Sequence, residues 1–117
     1  MTFNGICIET KNAPRLAEFY RVVLQQEPFV EGSHYGFENI AVYDPGDVTA
    51  AKDKNIWLQC SAENLDEEYA RLLREIPEIE IISPPERRSW GAYSFWIADQ
   101  DGNKVAVAEV KAEKITK

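Results

Sequence analysis

The sequence predicts an α+β fold in which one strand–helix–strand unit is used twice. The chain has 117 residues, which is the size of one domain with its own hydrophobic core. Ile8 and Asn12 in the first half match Cys60 and Asn64 in the second half at the same spacing. Repeated spacing of this kind is typical of a supersecondary unit used twice. A chance similarity between two strand–helix pairs is the alternative.

The first half predicts a strand, a helix and then further short strands. β-Branched residues alternate over 3–10, which favours a strand, and Asn12 is placed to cap a helix. Apolar residues at helical spacing carry that helix to about Gln26, because Pro28 lies just beyond. Residues 28–43 predict one or two short strands with turns at 32–33 and 38–39, and residues 44–54 predict a polar loop.

The second half repeats this order. Asn64 is placed to cap a second helix, Glu67 predicts a capping box with it, and Pro77 should end the helix. The other predicted elements are a strand over 55–61, a short strand over 80–83 before two prolines, and strands over 92–98 and 104–110 that a turn over 99–103 joins into a hairpin. The two modules then span about 1–47 and 55–112 of a single domain over 1–117.

Strand alternation separates the side chains that face the helices from those on the opposite face. The predicted helix-facing set is Ile6, Ile8, Ile56, Leu58, Cys60, Phe95, Ile97, Val105 and Val107. The opposite faces carry the candidate ligand-binding residues, which are Cys7, Glu9, Trp57, Gln59, Ser61, Trp96 and Lys104. Across the final hairpin, Trp96 should pair with Ala106, and Ala98 with Lys104.

The composition limits which cellular compartment and which binding partners are expected. The formal net charge is −7, so the chain lacks the basic surface that nucleic acids and anionic membranes require, and neither is an expected partner. This charge suits a neutral or cationic small molecule. The sequence shows no secretory signal, no long apolar stretch and only two cysteines, which predicts a cytoplasmic protein.

Three segments resemble the vicinal oxygen chelate superfamily, which includes glyoxalase I, extradiol dioxygenases, and fosfomycin- and bleomycin-resistance proteins. They are the first helix with its Phe-Tyr pair at 19–20, the Trp-Gly pair at 90–91, and the run 95–103. In that run, Gln100 replaces the proline of an Asp-Pro-Asp-Gly-Asn turn. The resemblance implies two βαβββ modules whose mixed sheets curl around a cavity, and it implies a homodimer.

The resemblance also bears on cofactors. Most enzymes of that superfamily hold a divalent metal in the cavity through three or four side chains. The superfamily's ligand positions fall at Gly5, Trp57 and Ala106, and none of these side chains coordinates a metal. We therefore expect no metal and no other cofactor. The subtype that this pattern resembles is the bleomycin-resistance protein, which is also metal-free and acidic.

Trp57 and Trp96 are the main candidates for ligand contact. Two indoles offer a large planar area and one N–H donor each, which suits a planar or cationic ligand between them. Glu9 would supply a counter-charge, and Gln59 would supply hydrogen bonds. Alternatively, both indoles fill the interior as core side chains and the protein binds nothing there.

The sequence thus predicts a metal-free small-molecule-binding protein. One alternative is a lyase, isomerase or dioxygenase with displaced metal ligands, and its candidates are Glu9, His34, Asn55 and Glu109. The other alternative is a dimeric interaction module with a vestigial cavity.

Four side chains carry structural expectations. His34, the single histidine, is expected in an exposed turn, and Cys7 is expected as a buried, unreactive thiol. The Arg87–Arg88 pair is expected in a solvated loop, or as a mobile lip that grips an acidic ligand.

Overall fold

Each half of the chain folds as a four-stranded mixed sheet with one helix. The computed structural model describes residues 1–51 and 54–110. The chain divides into two compact units, Met1–Asp53 and Lys54–Lys117. This architecture confirms the predicted α+β fold of two βαβββ modules, and the sheets do not close into a barrel.

The first module contains β1, α1, β2, β3 and β4. Their bounds are Ile6–Glu9, Ala13–Leu24, Phe29–Glu31, His34–Gly36 and Ile40–Tyr43, respectively. The strand order is β1-β4-β3-β2, with β1 parallel to β4 and the other pairs antiparallel. The turns predicted at 32–33 and 38–39 both separate strands, so the segment holds three strands and not one or two.

The second module contains β5, α2, β6, β7 and β8. Their bounds are Trp57–Ala62, Leu65–Glu75, Glu80–Arg87, Tyr93–Ala98 and Lys104–Glu109, respectively. The strand order is β5-β8-β7-β6, with β5 parallel to β8 and the other pairs antiparallel. The order matches that of the first module, which confirms the repeat.

Helix α1 begins and ends close to the predicted residues. Asn12 Oδ1 accepts a hydrogen bond from the Arg15 N–H at 3.2 Å, and a proline occupies the first turn. The helix ends at Leu24 because Gln25 adopts the left-handed conformation, with φ of 54°. The face that packs on the first sheet buries Leu16, Phe19, Tyr20 and Val23.

Two separate residues cap the N-terminus of α2. Asn64 Oδ1 accepts the Glu67 N–H at 3.1 Å, as the sequence predicted. The Leu65 N–H is bound at 3.1 Å by Glu109 Oε2 from β8, so the cap is completed by a distant carboxylate. Leu65 and Leu72 are buried, whereas Leu73 is 42% exposed.

The register of the final hairpin is the one the sequence predicted. Trp96 pairs with Ala106, and Ala98 with Lys104. The helix-facing side chains Phe95, Ile97, Val105 and Val107 are all buried. Ile56 is the exception to the predicted helix-facing set, because it precedes β5 and is 73% exposed. These buried side chains form the core of the second module beneath α2.

Strand β6 is longer than predicted. It runs through Pro84 and Pro85 to Arg87, whereas the prolines predicted an end at Ser83. Because β6 lies at the sheet edge, the missing N–H groups cost fewer ladder hydrogen bonds. The register between β6 and β7 shifts on both sides of Ser83, and this irregularity accommodates the prolines.

The turn that joins β7 and β8 tolerates a proline. Its Gly102 N–H donates to the Asp99 carbonyl at 3.0 Å, and Gly102 has φ of 85°. Gln100 therefore occupies the second position of a type I turn, where proline is favoured. We expect Gln100→Pro to leave the free energy of unfolding unchanged or to raise it by about 0.5 kcal/mol. Urea unfolding measures this, and a loss of stability would contradict the turn assignment.

Within residues 1–51 and 54–110, no helix is long and apolar enough to span a membrane.

Candidate functional site

The face of the second sheet opposite α2 carries five of the seven predicted site residues. The strand registers place Trp57, Gln59 and Ser61 of β5 beside Lys104, Ala106 and Ala108 of β8, and these beside Ala98, Trp96 and Ser94 of β7. We call this set the indole face. Apart from Trp96 and Lys104, the residues that β7 and β8 contribute to this face are alanine and serine, namely Ser94, Ala98, Ala106 and Ala108.

The two indoles of this face contact each other. The ring centroids of Trp57 and Trp96 are 5.2 Å apart, and the ring planes meet at 71°, which is an edge-to-face contact. Ala106, next to Trp96 in the register, leaves the space that the rings occupy. Both tryptophans are half-buried. Because the rings touch, a planar ligand would lie against the pair and not between its members.

Each indole also has a basic side chain over it. The Lys104 Nζ lies 4.8 Å from the Trp57 ring centroid, and the Arg88 Cζ lies 3.9 Å from the Trp96 ring centroid. Both distances are typical of cation–π contacts. The indole face thus presents an aromatic pair with a positive group at each side.

Arg88 is a buried arginine with a defined hydrogen-bond network. Its side chain donates to Ser94 Oγ at 2.8 Å, to the Ser94 carbonyl at 2.9 Å and to Ser83 Oγ at 3.0 Å. Glu86 lies 3.6 Å from Nη1, and only 6% of the Arg88 side chain is exposed. The predicted solvated loop or mobile lip is therefore wrong for Arg88, because the β6–β7 pairing fixes it against Trp96.

The other two predicted site residues, Cys7 and Glu9, lie on β1 of the first module. Both side chains are exposed, and both point away from the face that packs on α1. The expectation that Cys7 is buried is wrong. Partial desolvation and then the neighbouring Glu9 carboxylate raise the pKa of the Cys7 thiol. Burial alone raises the pKa of the Cys60 thiol.

These environments predict a difference in thiol labelling. At pH 7.5 we expect iodoacetamide to modify Cys7 slowly and Cys60 only after unfolding, because a raised pKa reduces the reactive thiolate and Cys60 is also shielded. Glu9→Gln should speed the labelling of Cys7, since one cause of its raised pKa is removed. Mass spectrometry of peptides follows both sites. Faster labelling of Cys60 than of Cys7 would contradict this assignment.

The superfamily's metal-ligand positions do not fit a metal in this chain. A Cβ built at Gly5 would lie 2.1 Å from the Asn39 carbonyl oxygen, so no ligating side chain fits there on this backbone. Trp57 and Ala106, at the other two positions, have no metal-binding group. Among the described residues, no group of three or more His, Cys, Asp or Glu side chains could hold a metal ion.

The four residues considered for displaced metal ligands lie in separate settings. Glu109 binds the N-terminus of α2, and Glu9 is exposed on β1. Asn55 is exposed and precedes β5. His34 is the first residue of β3 and packs 5.7 Å from the Tyr43 ring, so the expectation of an exposed turn residue is wrong.

Sequence reasoning missed Arg88 and the cation–π contact of Lys104. Strand alternation placed Trp57 and Lys104 on the same kind of face, but the adjacency of β5 and β8 that brings them together appears only in the structure. Arg88 had no such signal, since its position depends on the irregular register of β6 around two prolines.

Comparison with solved structures finds many chains of the same fold. A protein of unknown function from Agrobacterium tumefaciens shares 24% identity over 94% of each chain, with a TM-score of 0.80. A glyoxalase/bleomycin resistance protein/dioxygenase family enzyme from Burkholderia phytofirmans shares 11% identity, covering 94% of this chain and 99% of that one, with a TM-score of 0.76.

A third similar structure is a member of the same superfamily from Sphaerobacter thermophilus. It shares 18% identity, covering 94% of this chain and 98% of that one, with a TM-score of 0.69. No protein-family model and no curated protein matches the sequence. The chain therefore has the fold of the glyoxalase/bleomycin resistance/dioxygenase superfamily, also called the vicinal oxygen chelate superfamily, which confirms the fold implied by the resemblance.

Proposed function

We propose that this protein binds a small planar molecule on the indole face, without a metal. The observation that carries the proposal is the contact between two half-buried indoles on a sheet face that also holds the small residues Ala98, Ala106 and Ala108. Ligand sites typically combine apolar or aromatic walls with a few polar groups. Gln59 and Ser61, both exposed on β5 of the same face, supply the polar groups.

We do not propose an enzymatic function of the superfamily's metal-dependent kind as a second candidate. Gly5, Trp57 and Ala106 do not provide a metal site, and Glu109 is engaged at a helix terminus. The subtype resemblance to bleomycin-resistance proteins supports a binding function, and it remains a proposal. Homodimerisation and a cytoplasmic location also remain predictions, and sedimentation velocity would test the first.

Tryptophan fluorescence tests the proposed function. Trp90, which is 70% exposed, would add an unrelated signal, so the titrations use the Trp90→Phe variant. A panel of planar heteroaromatic compounds should contain members that change the emission of Trp57 and Trp96 saturably. Calorimetry on the unmodified chain should give the same affinity as the variant, which controls for the substitution.

A second substitution links binding to the indole pair. Trp57→Leu should weaken binding of any responding compound about tenfold or more, since stacking on one aromatic ring contributes roughly 1–3 kcal/mol. No response across the panel, or unchanged affinity in Trp57→Leu, would leave the two rings with the packing role that the sequence also allowed.

A further inference from the structure

We infer that the ligand of the indole face is an anion, namely a planar aromatic acid whose ring lies against the tryptophan pair and whose acid group contacts Lys104. This inference rests on the proposed function and adds the charge of the ligand to it. The net charge of the chain favoured a neutral or cationic ligand, but the charges next to the rings are positive.

Lys104 is the group that would contact the acid. Its Nζ lies over the Trp57 ring, 4.8 Å from the centroid. Among the residues at 1–51 and 54–110, no carboxylate lies within ion-pair distance of it and no acceptor binds its N–H groups. The chain has 20 acidic and 13 basic side chains, so a lysine without an acidic partner is unexpected on composition alone. Its donors are available to a bound acid.

Charges of both signs lie near Lys104: Asp101 is in the turn that precedes it, and the Asp99 carboxylate of the same turn accepts the Asp101 and Asn103 N–H groups. The Lys54 side chain reaches the turn at Gly102, close to the start of β8, and adds a second ammonium at that end of the strand. Glu80 lies in the same row as Lys104 but two strands away, at roughly 10 Å from strand spacing. The described ion pairs do not include Glu80 with Lys104, so we treat Glu80 as a solvent-screened neighbour.

Arg88 places a positive charge at the other ring, that of Trp96. Its guanidinium lies on Trp96, and the hydrogen bonds to Ser83 and Ser94 hold it there. Glu86 offsets part of its charge from 3.6 Å, but that carboxylate is 61% exposed and screened by water. We assign Arg88 the role of positioning Trp96, and we assign Lys104 the contact with the acid. A cationic ligand would meet like charge at both rings, which disfavours it.

Three naphthalene derivatives of similar shape distinguish the effect of ligand charge on affinity from the effect of the planar ring. They are 2-naphthoate, 2-naphthamide and 2-naphthylmethylammonium, titrated by calorimetry at constant ionic strength. We expect 2-naphthoate to bind about tenfold more tightly than the amide, and the ammonium compound to bind more weakly than the amide. Raising the salt concentration should weaken the naphthoate complex more than the amide complex.

Lys104→Met keeps the apolar stem and removes the charge. This variant should bind naphthoate about tenfold more weakly and leave the affinity for the amide within about twofold. Arg74→Gln is the matched control, because Arg74 is exposed on α2, which packs on the opposite face of the same sheet, and its loss should change neither affinity. Near-ultraviolet circular dichroism verifies that both variants are folded.

The outcomes separate the inference from the proposed function. If the amide or the ammonium compound binds as tightly as naphthoate, the inference about charge is overturned and the proposed function stands. If Lys104→Met binds naphthoate like the unmodified chain, the assignment of Lys104 is overturned. If none of the three compounds binds, and the wider panel of planar compounds gives no response either, the proposed function fails together with the inference.

Discussion

Replacing Arg88 with alanine should lower the free energy of unfolding by about 4 kcal/mol. The substitution removes three hydrogen bonds to Ser83 and Ser94 and the cation–π contact with Trp96. Each buried hydrogen bond contributes roughly 1 kcal/mol, and a desolvated cation–π contact contributes roughly 1–2 kcal/mol. The Glu86 ion pair adds little because its carboxylate is exposed. Urea unfolding monitored by circular dichroism measures the change.

Two variants test the cause of this loss. Arg88→Lys keeps the charge but lacks the planar fork, so we expect it to recover less than half of the lost stability. Arg87→Ala removes an exposed neighbour whose contacts within the described residues are the Gly91 carbonyl and the Tyr93 ring, and it should cost less than about 1 kcal/mol. If Arg88→Ala costs no more than Arg87→Ala, Arg88 does not hold the indole face.

Replacing Asp99 with alanine should cost about 3 kcal/mol. Asp99 is 3% exposed, and its carboxylate accepts the Asp101 and Asn103 N–H groups, both at 2.9 Å. It also accepts the Asn103 side-chain amide at 2.8 Å. Alanine would leave these donors of the β7–β8 turn without a partner at a partly buried site, and each loss costs roughly 1 kcal/mol or more. Thermal and urea unfolding should agree on this loss.

The amide variant provides the contrast for Asp99. Asp99→Asn retains the oxygen that accepts both backbone N–H groups, so it should cost less than half as much as Asp99→Ala. Gln100→Ala, at an exposed neighbouring position, should stay within about 0.5 kcal/mol of the unmodified chain. Equal stability of all three variants would show that the carboxylate does not organise the turn.

The parts of the fold that the sequence predicts correctly are those that local chemistry determines. Asn12 and Asn64 mark the helix starts because their side chains bind N–H groups of the next turn. The register of the final hairpin follows from strand alternation and a five-residue turn, so Trp96 faces Ala106 as predicted. The faces of Trp57 and Trp96 follow from the same alternation.

The predictions that were wrong concern features that depend on contacts between distant segments of the chain. Prolines at 84 and 85 predict the end of a strand, but their place at a sheet edge lets β6 continue. Glu109 caps α2 across the module, a contact that no local pattern indicates. Arg88 resembles a loop arginine until the irregular register of β6 puts it beside Ser83 and Ser94. The two basic side chains over the indole rings therefore could not be inferred from the net charge of −7.

The central claim is that the tryptophan pair binds a ligand. Nuclear magnetic resonance of the three indole N–H groups tests this claim most directly. Trp57, Trp90 and Trp96 each give one indole resonance, and single Trp→Phe variants assign them. On titration with 2-naphthoate, the resonances of Trp57 and Trp96 should shift together and saturate, while that of the exposed Trp90 stays in place. Resonances of Trp57 and Trp96 that move neither with 2-naphthoate nor with any planar compound of the wider panel, or a shift confined to Trp90, would contradict the claim.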